Sequence, residues 1–494
     1  MSKKKLVKDT FDFSYLQNIS SNESEKYNFV SQYLPSLLHS GIGKILKGVK
    51  NKGMPAFEII KMLALFPFLG MGTVHGLYES QKYRLFEVQK DVFYRLKNNS
   101  LINWRRIVLS VSMRFLRLAG GQINCLRTET GEGQNKEEDL RTLPKCLIFD
   151  DTDIEKTGFK IEGVSKIWSH VYHRYILGFK CLTLGFFDGV SFIGLDFSLH
   201  REQVDKQQQY GLKNSQRKQQ YVKQRDKKEP GYERKLELNT KKTKSILKMM
   251  SGALKHLNKL KNGLGRVEYV LCDSWFFSEE LLHFCQNKKL FLACGVKMGK
   301  ITFEYNEKNY SPKALVKITQ RKSKFSKKMK AHYIPLIVSY KGTRVKLFFV
   351  KYRGQEKWRL ILCSNTKLTF IKTMEIYQIR WSIEVFFKEM KQYLGLNKCQ
   401  SRHFEAHIAH ISIAMILHQA LTLKKRVENH ATIGQLFRSV KNQMIEMTIV
   451  QKLWKLFLKL IRKLTLLFEF EPYELFKKLL KNDVNSFNDI FALE

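Results

Sequence analysis

The chain is 494 residues long and carries 87 lysines and arginines against 45 aspartates and glutamates, a formal net charge of +42. Self-repulsion on that scale calls for a polyanionic partner, nucleic acid ahead of an anionic membrane surface. The eight cysteines are scattered without a C-x-x-C pair, which argues for free thiols in a reducing compartment and against a zinc finger or disulfide framework.

The first residues, MSKKKLVKDTFDF, lack the apolar core of a signal peptide. The most apolar stretch, Phe57 to Gly72, is broken by Glu58, Lys61 and Pro67, too short and too charged to cross a bilayer. A cytoplasmic protein with no membrane partner is expected. Residues 1–140 read as mostly helical, from apolar positions at three- and four-residue spacing in AFEIIKMLALFPFL, KDVFYRLKN and INWRRIVLSVSMRFLRLA. Lys82, Arg84, Arg95, Lys97, Arg105 and Arg106 suit a DNA-docking region, with a helical scaffold of solvated bases as the alternative. A polar stretch, RTETGEGQNKEEDLRT, reads as a linker ending near Thr142.

In KCLIFDDTDIEKTG an apolar run, Cys146 to Phe149, predicts a strand that ends in consecutive acids; an Asp-rich turn is the plainer reading. FKCLTLGFF and VSFIGLDFSLH, split by Asp188-Gly189, predict a hairpin. Arg201 to about Lys244 is polar and basic, with too few apolar residues for a core, and reads as a mobile loop or a basic strap that orders on DNA. A strand over Val267 to Cys272 runs straight into Asp273, and Ser278 is placed to cap a helix that opens with Glu279 and Glu280. LFLACGVK is a further buried strand, so strands and helices alternate as in an α/β domain. Residues 298–370 are strand-rich, a β insertion. RHFEAHIAHISIAMILHQALTL and VQKLWKLFLKLIRKLTLLFEF then predict long amphipathic helices.

Between insertion and tail, MEIYQIRWSIEVFFKEMKQYL predicts one helix, Met374 to Leu394. At about 100° per residue, Tyr377, Arg380, Glu384 and Lys391 fall within roughly 60° of one another, with Lys388 beside them. Ile379, Ile383, Phe386, Met390 and Leu394 form an apolar wall. A lone acid among bases suits a metal ligand in a nucleic-acid site; a surface helix with a mixed face is the alternative. His403, His407 and His410 share a helical face near Cys399, a pattern that fits packed histidines better than a metal site. No Walker lysine loop, His/Cys zinc pattern or serine elbow is present. The acids on offer, Asp151 with Asp150 and Asp153 beside it, Asp273 and Glu384, supply the candidate catalytic and metal-ligating triad. Carboxylates suit two Mg²⁺ or Mn²⁺ ions, one activating the attacking oxygen and one stabilising the leaving oxygen of a phosphodiester.

The spacing Y-x2-R-x3-E-x6-K resembles the signature helix of the insertion sequence four family of DDE transposases, and strand-DDT, strand-CD and that helix occur in the family's order over roughly residues 140–400. The resemblance implies an α/β fold (α+β overall) with an RNase H-like core. Together with the ends, which match the family only in being helical, it divides the chain into a helical DNA-binding region (1–140), a catalytic domain (141–400, with the β insertion at about 298–370) and a helical assembly region (401–494). It assigns the first acid to Asp151, with Asp150 and Asp153 as neighbours that could replace it. It implies DNA contacts from Tyr377, Arg380 and Lys391, with Lys388 beside them, and gives Trp358, in the β insertion, the position of a residue that stacks on an extruded base. The implied activity is cut-and-paste transposition by a bacterial, nucleoid-associated enzyme. It would bind terminal inverted repeats and target DNA as a homodimer, cleave, and join the freed strand. The alternatives are a nuclease that does not join and a decayed DNA-binding protein.

Overall fold

The computed structural model describes residues 29, 33–38, 41–50, 52–80, 88–129, 143–202, 209–428 and 432–444, with side chains of the longest N-terminal helix described to residue 120. Contacts group residues 28–437 into one unit and residues 1–27 with 438–494 into another. In the second unit the described residues, 438–444, are helical. The predicted basic helix around Val450 to Phe470, the linker up to Thr142, and Lys82 and Arg84 lie outside the described residues. The elements used below are helices α1 (Lys90–Lys97) and α2 (Trp104–Glu129); strands β1 (Cys146–Glu155), β2 (Ser165–Ser169), β3 (Arg174–Phe187) and β4 (Phe192–His200); and helices α3 (Pro230–Leu236) and α4 (Lys242–Leu257). They continue as β5 (Tyr269–Cys272), α5 (Glu279–Asn287), β6 (Phe291–Val296), β7 (Phe303–Tyr305), β8 (Lys308–Tyr310), β9 (Lys324–Ser326), β10 (Ala331–Tyr340), β11 (Thr343–Tyr352) and β12 (Arg359–Cys363). The helices α6 (Phe370–Gln378), α7 (Trp381–Gln392) and α8 (Phe404–Val427) complete the set.

Cys146 to Phe149 are fully buried, as an apolar run of strand length demands, but β1 does not stop there. It pairs with β3 along its whole length, Cys146↔Phe187 to Glu155↔Gly178, so the acids lie within a strand rather than in a turn after it. The backbone hydrogen bonds of the partner strand decide this, and an apolar count cannot see them. The hairpin forms at Asp188: Phe187 pairs with Phe192, and the Asp188 carboxylate accepts from the amides of Val190 and Ser191 at 3.1 and 2.9 Å. The segment between the first strand and the hairpin contributes β2, which the sequence did not indicate; it pairs with β3 at Ser165↔Gly178 to Ser169↔Arg174.

β5 runs parallel to β1, and β6 parallel to β5. The Ser278 hydroxyl caps α5 by accepting from Leu281 N at 3.2 Å. The core order β4-β3-β1-β5-β6, an antiparallel meander joined to parallel strands, is an RNase H-like core. The β insertion continues the same sheet: β12 pairs antiparallel with β6, then β11, β10, β7 and β8 follow outward. Its long hairpin turns at Lys341-Gly342, where both residues have positive φ, 49° and 76°, the handedness that matches strand twist in a two-residue turn.

Three sequence expectations change. The predicted single helix from Met374 to Leu394 is two helices, α6 and α7. The amides of Ile379 and Arg380 reach back only three residues, to Ile376 and Tyr377 carbonyls at 3.1 Å, which tightens the backbone and redirects the chain at Arg380. The helix α8, expected to be amphipathic, is buried on nearly every side, from Phe404 through Lys424 with His410 half-covered. It is long and apolar enough to cross a membrane by composition, but 94% of its apolar window lies inside the fold. Gln419 ties it to the sheet edge and α2, donating to Gly194 O at 2.9 Å and Ser112 Oγ at 3.0 Å.

The third change concerns the basic stretch after Arg201. It is anchored to the core at Leu212, Arg225, Arg234 and Leu238, with residues 213–215 and 226–228 exposed between, rather than forming a free strap. Arg225 is enclosed by Glu162, at 2.6 Å, and by Glu405, with only 2–4% of these side chains exposed. Arg234 and Arg105 meet Asp196 and Glu237 in a second enclosed cluster. These partners are distant in sequence, so composition alone reads the stretch as solvated. The seven cysteines with described side chains are buried free thiols.

The three histidines around the start of α8 act structurally. His407 and His410 donate from Nε2 to the carbonyls of Ser401 and Gly395, both at 2.8 Å, and His403 packs edge-on to Tyr221.

Two stability predictions follow from this packing. Arg225→Ala strands Glu162 and Glu405 without a counter-charge and is expected to cost about 3–5 kcal/mol, read from urea unfolding. Burial, reinforced by Lys97, holds His410 neutral with its pKa pushed down to about 4. The unfolded chain takes up this proton near pH 6.5 and the folded chain does not, so acidification between about pH 6.5 and 4 should remove roughly 1.4 kcal/mol of stability per pH unit through this residue. Unfolding measured across that range should show this increment in the wild type and its absence in His410→Gln.

Candidate active site

The parallel pair β1–β5 builds the site. Its register sets Ile148 beside Leu271, and side chains alternate faces with period two. Two residues on, Asp150 and Asp273 come level on one face, while Asp151 turns to the other. Partners bear this out. Asp150 meets Arg380, whose Nη1 lies 3.2 Å from Asp150 Oδ2, and Arg380 Nη2 donates to Glu384 Oε1 at 2.6 Å. Asp151 instead pairs with Lys242 of α4, at 2.5 Å. Asp153 is taken by Lys180, also at 2.5 Å.

One guanidinium therefore bridges two of the carboxylates, and the third, Asp273, acts on Asp150 electrostatically. Backbone amides hold the acids in place: Asp151 N donates to Asp150 Oδ1 at 2.8 Å, and Ser274 N to Asp273 Oδ1 at 2.6 Å. Burial, with the negative charges of Asp151 and Asp273, pushes Asp150 up to about 7 despite Arg380 and the amide. The kink between α6 and α7 sets Tyr377 on the first helix and Arg380 at the start of the second. The Tyr377 hydroxyl lies against Gly295, where a Cβ would come within 3.2 Å of it, and beside Ser274. Burial raises the Tyr377 phenol above its ordinary range.

The structure thus brings together Asp273, Glu384, Arg380 and Tyr377 of the sequence candidates, with Asp150 in the position expected of Asp151. Lys388 is exposed on α7, and Lys391 lies two turns beyond Glu384. Trp358 is half-buried at the start of β12, with Lys351 Nζ 5.4 Å from its ring centre. The pairings Leu360↔Val296 and Cys272↔Cys294 set it at the same sheet end as Asp273, two strands along. The sequence reading missed two features. Lys242 covers Asp151, which nothing in the motif signals. Trp275, two residues after Asp273, is 65% exposed, with Lys297 Nζ 3.0 Å from its ring centre and His170 alongside. A tryptophan in SWFF directly after a strand-ending acid was the available signal.

The donor set is one of hard oxygen ligands, the chemistry that Mg²⁺ and Mn²⁺ select. A divalent cation among Asp150, Asp273 and Glu384 would offset the burial and the repulsion that hold the Asp150 carboxyl up. Among the described residues no three His, Cys, Asp or Glu side chains stand close enough to hold an ion as they are, because Arg380 lies between Asp150 and Glu384. The residues fit such ions by type, with Arg380 as the group that has to move.

Removing that bridge exposes its worth. Arg380→Met should cost about 2 kcal/mol by leaving two neighbouring acids uncompensated, and Asp150→Asn in the same background should recover much of it. A double-mutant cycle by chemical unfolding in EDTA reads the coupling.

Residues 142–420, more than half of the chain, match the model of a family described as a transposase DDE domain. No curated protein matches the chain.

Proposed function

Because the chain belongs to the transposase DDE domain family, we propose that it is a DNA transposase of the insertion sequence four type, with Asp150, Asp273 and Glu384 as its catalytic acids. The observation that carries this reading is the convergence of Asp150, Asp273 and the Arg380–Glu384 pair at the end of two parallel strands. The family match supports transposase chemistry in general; the end-binding, cut-and-paste route and the particular family are our reading of the motif.

Two divalent ions, Mg²⁺ or Mn²⁺, held by these carboxylates would supply activation of the attacking oxygen and charge stabilisation at the leaving oxygen. The protein's own part is to hold the acids on one face by strand register, to exclude bulk water by burial, and to steer a phosphodiester to them. Arg380 exchanges its carboxylate partners for a DNA phosphate, which frees Asp150 and Glu384 for the ions. Tyr377, Lys388 and Lys391 grip the element end beside it, and Trp358 stacks on a displaced base at the same sheet end. Water first cleaves the phosphodiester at each end; the freed 3′-hydroxyl then attacks target DNA. Holding both ends calls for a homodimer on DNA. The helical residues 1–140 serve DNA docking and 401–494 assembly, in a bacterial cytoplasmic protein associated with the nucleoid.

The test compares wild type, Asp150→Asn, Asp151→Asn and Glu384→Gln on linear DNA carrying the gene's flanking repeats, with Mg²⁺, with Mn²⁺ and with EDTA. Asp150→Asn and Glu384→Gln should lose at least about 10³-fold in cleavage, since several kcal/mol of transition-state stabilisation depend on them, while Asp151→Asn should stay within about 10-fold of wild type. Joining of the cut ends to a target plasmid is expected in wild type with metal. Cleavage without joining would replace the transposase with a nuclease. Loss in Asp151→Asn with retention in Asp150→Asn would reverse the assignment of the first acid.

A further inference from the structure

We propose that the cleft between residues 66–74 and residues 391–398 binds the phosphate backbone of a DNA strand through Lys97, Lys391 and Lys398. This rests on the reading of the chain as a DNA enzyme and assigns part of the grip to α1, outside the catalytic core. The cleft is a cavity of about 230 Å³ whose lining includes Gly72, Lys97, Lys391, Gly395, Lys398 and His410. His410 is uncharged there and donates to Gly395 O. The charge of the cleft therefore comes from the lysines.

Two features make this a built site rather than a loose basic surface. The α7 helix stops at Gly395, which has φ +67°; Leu396 N reaches back to Met390 O at 3.0 Å, and Lys398 N to Gly395 O at 2.8 Å. That turn carries Lys398 back over the cleft, and its stem passes between two glycines. A Cβ on Gly72 would lie 3.3 Å from Lys398 Cγ, and one on Gly395 3.2 Å from it. Second, among the described residues none of the three lysines forms an ion pair with a carboxylate: Lys97 acts on the Cys399 thiol, whose pKa it lowers, and Asp153, which acts on Lys391, is already held by Lys180. Burial lowers the pKa of Lys391, a strain that an anion would relieve.

The occupant follows from continuity. Lys391 lies seven residues after Glu384 on one helix, about 10 Å along its axis, or roughly three nucleotides of duplex. A strand whose phosphodiester meets the acids thus reaches the cleft without leaving α7.

Binding of the full-length protein to a labelled duplex bearing the flanking repeats, in EDTA and over a salt series, tests this without catalysis. Lys97→Gln and Lys398→Gln should each weaken binding about 10-fold at moderate salt and flatten the slope of log affinity against log salt by about one, the value for one lost phosphate contact. Lys97→Arg should restore both. Lys288→Gln, exposed at the opposite end of β6, should change neither. Wild-type binding matched by Lys97→Gln, or an equal loss in Lys97→Gln and Lys288→Gln, would overturn the cleft and leave the DNA-enzyme reading intact. A wild type that binds no duplex would sink both.

Discussion

Like charges gathered in one place have to be compensated, and that constraint organises the site. The parallel register of β1 and β5 sets Asp150 and Asp273 level on one face, and α7 adds Glu384. Water is largely excluded at Asp150, so positive charge has to come from the protein or from a ligand. In this state Arg380 supplies it to two of the three acids. Arg380 precedes α7, with Glu384 one turn further along and Asp150 on β1, and one side chain reaches both. The chemistry proposed for the site is an exchange of one kind of positive charge for another.

The same economy of charge runs through the rest of the molecule. Glu162, Glu405, Asp196 and Glu237 are enclosed with Arg105, Arg225 and Arg234, so scarce acids are spent inside the fold. Buried bases match these acids in number, so the excess of positive charge stays outside. The stretch after Arg201 looked like a strap because its arginines were counted without their partners. Its arginines are structural clamps, and DNA contact is proposed instead for the lysines around α7.

Much of this was legible in the sequence. The apolar runs ending at Phe149 and Cys272, the Asp188 hairpin and the Ser278 cap marked the core strands and a helix, because each is a local signal. The placement of Asp273 at a strand end, and of Arg380 and Glu384 one helical turn apart, was legible for the same reason. Which of Asp150 and Asp151 shares a face with Asp273 was not. It depends on which face a side chain takes, which follows from cross-strand register, and register is settled by a partner about 120 residues away. The break between Tyr377 and Arg380 was hidden too, since neither glycine nor proline marks it. The all-round burial of α8 escaped because its charged and histidine positions imitate a polar face.

The β insertion is hydrogen-bonded to the catalytic sheet rather than hung from it. With β12 paired directly to β6, Trp358 and the acid-bearing strands belong to one continuous, twisted surface. Such a surface has no hinge along the pairing direction, so it cannot fold over a substrate like a lid. On the proposed reading, duplex bound across it would have to conform to the protein's curvature, and sequences that bend or unstack easily would be favoured at positions no side chain touches. Part of the choice of DNA would then be written in the stiffness of the double helix itself.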